Sequence, residues 1–417
     1  FITYYMFMLN GEQLKVDDFF DPSSKDFIHD PKPSLRKLLK EYPIGRFDAW
    51  GAWLVTGNRN IADCLLDRRL STDFNLWEYA PPKKELSEMD SFETLMNNNL
   101  FFLNRTDHLR LRKLALPAFS PRIMDQMKVR FAKLVKERFD EIGEPEEFNF
   151  ATEVAEIIPT QAIASLVGIP RDKFPIFDSL AYGVVRGINP MLSEDERKEA
   201  TKGVKAGLDL LNELIEEKRS NPTDDFLSTL ILAEEEGEKL SNWEMCALTG
   251  AVLAAGSDTA VDLHSYLIKA LLSHPEQLEE LKQDEELIQN AISETLRYES
   301  SGKTGLARYV SEDMELLGVE VKKGQMIQLI TSTAGLDPNT YDDPDTFDIH
   351  RNHDKSISFG QGPHYCIGVT LVRSQTEVML RELFNRFPNL SLTGDVQYDY
   401  DHHNARRMTE LTVKTNI

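Results

Sequence analysis

The sequence predicts a mainly α-helical fold with small antiparallel β-sheets, and three observations predict it. Long stretches repeat apolar residues at helical spacing: 122–143, 153–167, 199–219, 241–273, 275–298 and 373–387. Only short runs look like strands, between 306 and 333 and near the end of the chain. No repeat, linker or composition shift divides the 417 residues, so one continuous fold is expected over 30–417, preceded by an N-terminal extension at 1–29.

In chain order, 48–56 sets aromatic and β-branched residues around Gly51, predicting a hairpin. Residues 107–118 space Leu109, Leu111, Leu114 and Ala115 along a helix among basic residues. Ser241 opens the longest helix, with Glu244 three residues on as a capping box, and His274-Pro275 ends it. The pattern then changes to short strands at 314–316, 319–321 and 326–330, with turns at Gly318 and Lys323-Gly324. Residues 390–392 and 410–413 read as closing strands.

Lys plus Arg number 47 and Asp plus Glu 69, so the net charge is −22, which repels phosphate backbones and excludes non-specific nucleic-acid binding. The apolar stretch 1–9 lacks a basic flank and a small-residue cleavage site, so it reads as a poor signal peptide. Residues 245–256 are too short for the ~20 apolar residues of a membrane span. A cytoplasmic chain without a membrane anchor is expected. Cys64, Cys246 and Cys366 are too few and too scattered for a disulfide framework or a CxxC zinc site, which agrees with a reducing compartment.

The segment Phe359-Gly360-Gln361-Gly362-Pro363-His364-Tyr365-Cys366-Ile367-Gly368 carries most information. Its glycines and proline force an irregular backbone, and a helical pattern starts just after it. A cysteine near a helix N-terminus is favoured as a thiolate by the dipole and free N–H groups, and such a sulfur suits a haem iron. Phe359 is expected to shield it. The alternative is a buried structural cysteine.

Four further groups stand out. Gly256, inside the longest helix, costs about 1 kcal/mol relative to Ala, which invites a functional reason: close approach of a flat ligand. Asp258 beside Thr259 forms an acid–alcohol pair suited to proton delivery; the alternative is a Gly/Ala packing groove with a solvated Asp. Glu294 and Arg297 stand one turn apart, as surface pairs commonly do. His108 and Arg112 share a helix face and could bind a carboxylate; the alternative is a solvated basic face with Arg110 and Lys113.

Together these segments resemble the cytochrome P-450 haem-thiolate monooxygenases from about Asp30 to the C-terminus. The resemblance implies that family's fold, a single large domain with the haem buried between two long helices, and haem b as cofactor. It implies Cys366 as iron ligand within the loop of Phe359 and Gly368, and His108, Arg112, Arg308 and His364 on the propionates. Asp258 and Thr259 would deliver protons, Gly256 would belong to the same groove, and Glu294, Arg297 and Arg351 would form a buried structural network. It implies O2 insertion into a mostly apolar small-molecule substrate, with electrons from a ferredoxin and its reductase docking near Arg110, Lys113 and the Cys366 loop, and no membrane or nucleic-acid partner; a monomer is expected. The rivals are a peroxide-driven peroxygenase, a non-catalytic haem-thiolate sensor and a degenerate structural member. The chain departs from many relatives at Ser301, where they have Pro, at Gly335-Leu336, where they have Asn-Arg, and at Val369, where they have Ala. The substrate cavity is expected along 75–100, 180–191, 248–259, 301–305 and 401–406.

Overall fold

The computed structural model describes residues 16–416 apart from 83, 86–87, 98, 102, 104, 188–192, 236–237 and 403–404. The apolar stretch 1–9 and parts of 75–100, 180–191 and 401–406 lie outside the described residues.

From Val16 the chain is already packed on the body: Val16, Phe20 and Phe27 share a core cluster with Leu35, Leu38, Phe47 and Leu54. Helices α1 (Lys25–His29) and α2 (Lys32–Glu41) lead into strands β1 (Ile44–Phe47) and β2 (Ala52–Val55). The expected hairpin is this pair, in register Ile44↔Val55, starting earlier than predicted and turning through Gly51 at φ +58. Then come α3 (Asn58–Leu66), β3 (Leu70–Ser71), α4 (Ser91–Asn97), α5 (Arg105–Ala115) and α6 (Pro121–Ile142). After β4 (Glu147–Asn149), the helix expected at 153–167 opens as a π-turn, Ala151–Ala155, and becomes α-helical only as α7 (Ile157–Val167). Pro159 is the physical reason, because its nitrogen cannot donate to the Ala155 carbonyl.

Helices α8 (Phe174–Gly187), α9 (Glu194–Ser220) and α10 (Phe226–Leu232) are followed by the ribbon β5 (Glu234–Glu235) and β6 (Glu238–Lys239). Helix α11 (Asn242–Ser273) is the 32-residue spine of the molecule. It begins at the predicted capping box: Glu244 N–H donates to the Ser241 hydroxyl at 3.2 Å and Ser241 N–H to the Glu244 carboxylate at 2.8 Å. The pattern at 275–298 is two helices, α12 (Pro275–Gln283) and α13 (Ile288–Tyr298). Asp284 separates them in extended backbone, its carboxylate accepting from Glu286 N–H at 3.1 Å.

Strands β7 (Leu306–Val310), β8 (Met314–Leu316), β9 (Val319–Val321) and β10 (Met326–Leu329) follow. The largest sheet has the order β1-β2-β10-β7-β3, and its β2–β10 pairing is parallel, against the all-antiparallel expectation. Helix α14 (Val369–Arg386) packs beside α11, joined to it by a 3.0 Å bond between His264 Nε2 and the Thr376 hydroxyl. The run 410–413 is divided between two strands. With β11 (Ser391–Leu392) and β12 (Gln397–Tyr398) in place, β13 (Met408–Glu410) pairs β12, while β14 (Thr412–Lys414) pairs β11 and β4. Leu411 marks the break, its amide donating to Asn149 Oδ1 at 3.0 Å.

Between β10 and α14 the chain has only 3-10 turns, so its backbone groups need other partners. A buried ion network supplies them. Arg297 donates to both Glu294 oxygens at 2.6 and 2.7 Å, and to the carbonyls of Gly335, Pro344 and Thr346 at 2.7–2.9 Å. Arg351 joins at 3.2 Å from Glu294 and donates to the carbonyls of Asp342, Asp343 and Thr346. The departure at Gly335 has a physical reason: a Cβ there would lie 2.1 Å from the Arg297 carbonyl oxygen.

Gly335→Ala should therefore destabilise the protein by about 1–3 kcal/mol, because backbone must move to admit the methyl. Urea unfolding measures it, and an unchanged midpoint would contradict the packing described.

Candidate active site

The segment before α14 is bent by Gly360 at φ +73 and Gly362 at φ +66, with a 3-10 turn at Gly362–His364. Cys366 N–H donates to the Phe359 carbonyl at 2.9 Å, which closes the loop. The Gly368 N–H is directed at the Cys366 sulfur. Burial pushes the thiol up, while the Gly368 N–H and the Arg112 cation pull it down without prevailing. Gly368 is the N-cap of α14, so the sulfur stands near a helix N-terminus with an N–H directed at it, and desolvation is the larger effect on the free thiol. The Phe359 ring lies 5.2 Å from the Arg373 guanidinium, a residue that the pattern did not single out.

The four basic residues of the sequence reading do not make a solvated face. His108 is 1% exposed, and its ring stacks on His364 at 3.9 Å between centroids. Burial first, then Arg112, Arg105 and Arg308, pushes His108 down to about 4. His364 is pushed down to about 3 by burial and by the nearby His108, Arg308 and Arg112. Arg308 is 6% exposed, is lowered to about 10 by burial, and donates only to the Ala307 carbonyl at 2.8 Å among the described residues. Arg112 donates to the Tyr365 carbonyl, which ties α5 to the cysteine loop. Arg110 behaves differently from the expectation of a free docking charge: it forms an ion pair with Glu244 at the head of α11. Lys113 stays exposed beside it.

Helix α11 carries the acid–alcohol pair. Between Met245 and Leu272 only Ala255 and Thr259 are exposed, one turn apart on one face. The Thr259 hydroxyl donates to the Ala255 carbonyl at 2.5 Å within a continuous helix. A Cβ at Gly256 would lie 2.6 Å from Ile163 Cδ1 of α7, a packing contact in addition to the groove role expected of it. Asp258 turns away to a 2.5 Å ion pair with Arg407, a residue that the sequence reading missed and that no local pattern distinguishes from the adjacent Arg406. Ser301 and Gly302 hold the closing ribbon: Arg406 N–H donates to the Ser301 carbonyl at 2.8 Å, and Gly302 bridges Ala405.

The two histidines are held neutral, and among the described residues no carboxylate pairs with the buried Arg308. His108 Nδ1 is buried without a hydrogen-bond partner. A buried, uncompensated cation such as Arg308 costs several kcal/mol unless an anion meets it. A flat ligand bearing two carboxylates and a metal for the Cys366 sulfur satisfies these groups, so the residues present fit haem. Among the described residues, no cluster of three or more His, Cys, Asp or Glu could hold a metal ion. Cys64 and Cys246 are buried thiols, both pushed up to about 12 by burial. No described helix is long and apolar enough to cross a membrane.

The sequence matches the family described as Cytochrome P450 over residues 82–410. It is 34% identical over 415 residues to an epothilone C/D epoxidase of Sorangium cellulosum, covering 97% of each chain. It is 32% identical to a 6-deoxyerythronolide B hydroxylase of Saccharopolyspora erythraea, covering 87% of this chain and 89% of the relative. Among solved structures, epothilone B-bound cytochrome P450epoK superposes with a TM-score of 0.88 at 32% identity, over 95% of this chain and 99% of that one.

Arg308→Gln should speed loss of haem to apomyoglobin by roughly 10-fold or more, the worth of one charge-assisted hydrogen bond. An unchanged transfer rate would contradict the propionate assignment.

Proposed function

The chain belongs to the cytochrome P450 family and is a haem-dependent monooxygenase, and from that premise we propose that it hydroxylates or epoxidises a mostly apolar, polyketide-type natural product. The observation that carries the site assignment is the convergence of Arg112, Arg308, His108 and His364 around the Cys366 loop. The relatives named above, an epoxidase and a hydroxylase, support the substrate class.

The chemistry that the haem supplies when bound is reductive activation of dioxygen, with one oxygen atom going to the substrate and the other to water. The protein's part is binding, shielding and proton supply. The Cys366 sulfur would bind the iron, and the Gly368 N–H would moderate its charge. His108, Arg112, Arg308 and His364 would hold the propionates and so orient the group. Thr259, exposed on the buried helix, presents its hydroxyl to the reacting side, and Asp258 is the acid that recharges it. This pair favours the oxygen-dependent reading over a peroxide-driven one, which needs no proton delivery to dioxygen.

Electrons come from a ferredoxin and its reductase in the cytoplasm. With Arg110 neutralised by Glu244, the docking face is a smaller patch of Lys113 with exposed Leu109, Leu116 and Tyr365. A small basic patch ringed by apolar groups suits a weak, rapidly exchanging redox partner.

The reduced protein with carbon monoxide should give the red-shifted Soret band of a thiolate-ligated haem, and Cys366→Ser should abolish that shift; a shift that survives would remove Cys366 as ligand. Thr259→Ala should keep the shifted band but release more peroxide and less product per reducing equivalent. Unchanged coupling would count against the hydroxyl.

A further inference from the structure

A cavity of about 240 Å³ lies between the start of α2, the end of α13 and the segment that joins β12 to β13. Neither Cys366 nor the basic residues around it, nor Thr259, line this cavity. Arg406 does, and it is 2% exposed. Its Nε donates to the Ile28 carbonyl at 2.7 Å and its Nη2 to the His29 carbonyl at 3.1 Å. Its Nη1 makes no hydrogen bond among the described residues, and Glu299 Oε2 stands off from it at 4.0 Å. The other Glu299 oxygen is taken by Lys269 at 3.0 Å. Lys32, also on the wall, has no carboxylate against its ammonium among the described residues; the nitrogen lies 3.4 Å from the centroid of the Tyr298 ring. Ser332 is 3% exposed, and its hydroxyl makes no hydrogen bond among the described residues.

The wall therefore carries more positive than negative charge. Lys32, Lys269 and Arg406 face Asp30 and Glu299, while the Arg297 cation is spent on Glu294. Asp30 Oδ1 already accepts from the Lys32 N–H at 3.1 Å. A buried donor left unmade costs about 1–3 kcal/mol, and an ammonium over a ring gains about 0.5–2 kcal/mol. A carboxylate that accepts from Arg406 Nη1, the Lys32 ammonium and the Ser332 hydroxyl satisfies all three. Leu35, Leu336 and Tyr298 supply apolar surface for the body of such a molecule, which an inorganic anion would leave uncovered. The cavity is also tied to the chain that follows it. Ser300 is on its wall, and the Arg406 N–H donates to the carbonyl of Ser301 at 2.8 Å. Gly302 then bridges Ala405. The residue that would grip the carboxylate thus also holds the stretch 301–305.

We propose that this cavity is an effector site for a small organic carboxylate, separate from the substrate cavity: the carboxylate bridges Arg406 and Lys32, steadies 301–305 through the Arg406–Ser301 bond, and so tightens substrate binding. Fixing a wall of the substrate cavity before the substrate arrives lowers the ordering cost of binding. The effector role rests on the reading that 301–305 lines that cavity; the carboxylate site does not.

The test uses the ferric holoenzyme, radiolabelled benzoate as the probe and equilibrium dialysis, which does not depend on the haem spectrum. Benzoate should bind saturably, and Lys32→Gln should weaken it by about 10-fold, the worth of one charge-assisted hydrogen bond. Arg406→Lys should weaken it as well, and Lys32→Gln carries the test if that variant does not fold. Lys37→Gln, on the same helix but over the Phe19 ring, should bind as the native protein does. The second readout is the affinity of a polyketide that shifts the haem spin state. Saturating benzoate should tighten it by about 5-fold or more, and the polyketide should tighten benzoate by the same factor. No saturable binding, native binding in Lys32→Gln, or displacement of benzoate by equal inorganic phosphate overturns the site. Mutual weakening of the two ligands puts benzoate in the substrate cavity and overturns the proposal. Independent binding of the two keeps the carboxylate site and overturns its effector role. If no polyketide shifts the spin state, the substrate reading fails, while dialysis of the variants still decides the site.

Discussion

Glu294 is a fully buried carboxylate, and the chain between β10 and Cys366 depends on how its charge is met. Arg297 and Arg351 neutralise it, and their remaining N–H groups go to five different carbonyls of a segment that has no ladder of its own. The Asp348 N–H returns a bond to Glu294 at 2.9 Å. Removing one member of such a network costs about 3–5 kcal/mol, since the others stay buried and unpaired. The network therefore sets the path of the chain into the cysteine loop, and so the place where the sulfur stands.

The site itself is built from groups that disfavour one another. Two histidines and two arginines crowd together, and desolvation keeps the histidines neutral and weakens the Arg308 charge. The cysteine is likewise held towards its neutral form. A ligand with a cationic centre and two anionic arms reverses each of these penalties at once. The same economy operates on the other side of α11, where one guanidinium serves two carboxylates.

Much of the fold was legible because its signals are local. The capping box at Ser241 and Glu244, the turn glycines around Cys366 and the short strands after 306 are found where the pattern puts them. What was not legible was set by distant contacts. The parallel β2–β10 pair joins residues far apart in sequence, and the split at Asp284 turned on a side-chain cap competing with helix. At the site, the H-x-x-x-R and cysteine motifs located the cation set, but spacing did not reveal that Arg110 would find Glu244. Nor did spacing show that Gly256 stands against Ile163 of α7. Arg407 comes from an irregular segment, where periodicity says nothing about which side chain turns inward.

The central claim is that this arrangement activates dioxygen for insertion into an organic molecule. The direct measurement is turnover under 18O2 of a compound that shifts the haem spin state, followed by mass spectrometry of the product. One labelled oxygen atom per product molecule is the predicted result. Product oxygen drawn from water, or no oxygenated product under a sustained electron supply, would contradict it.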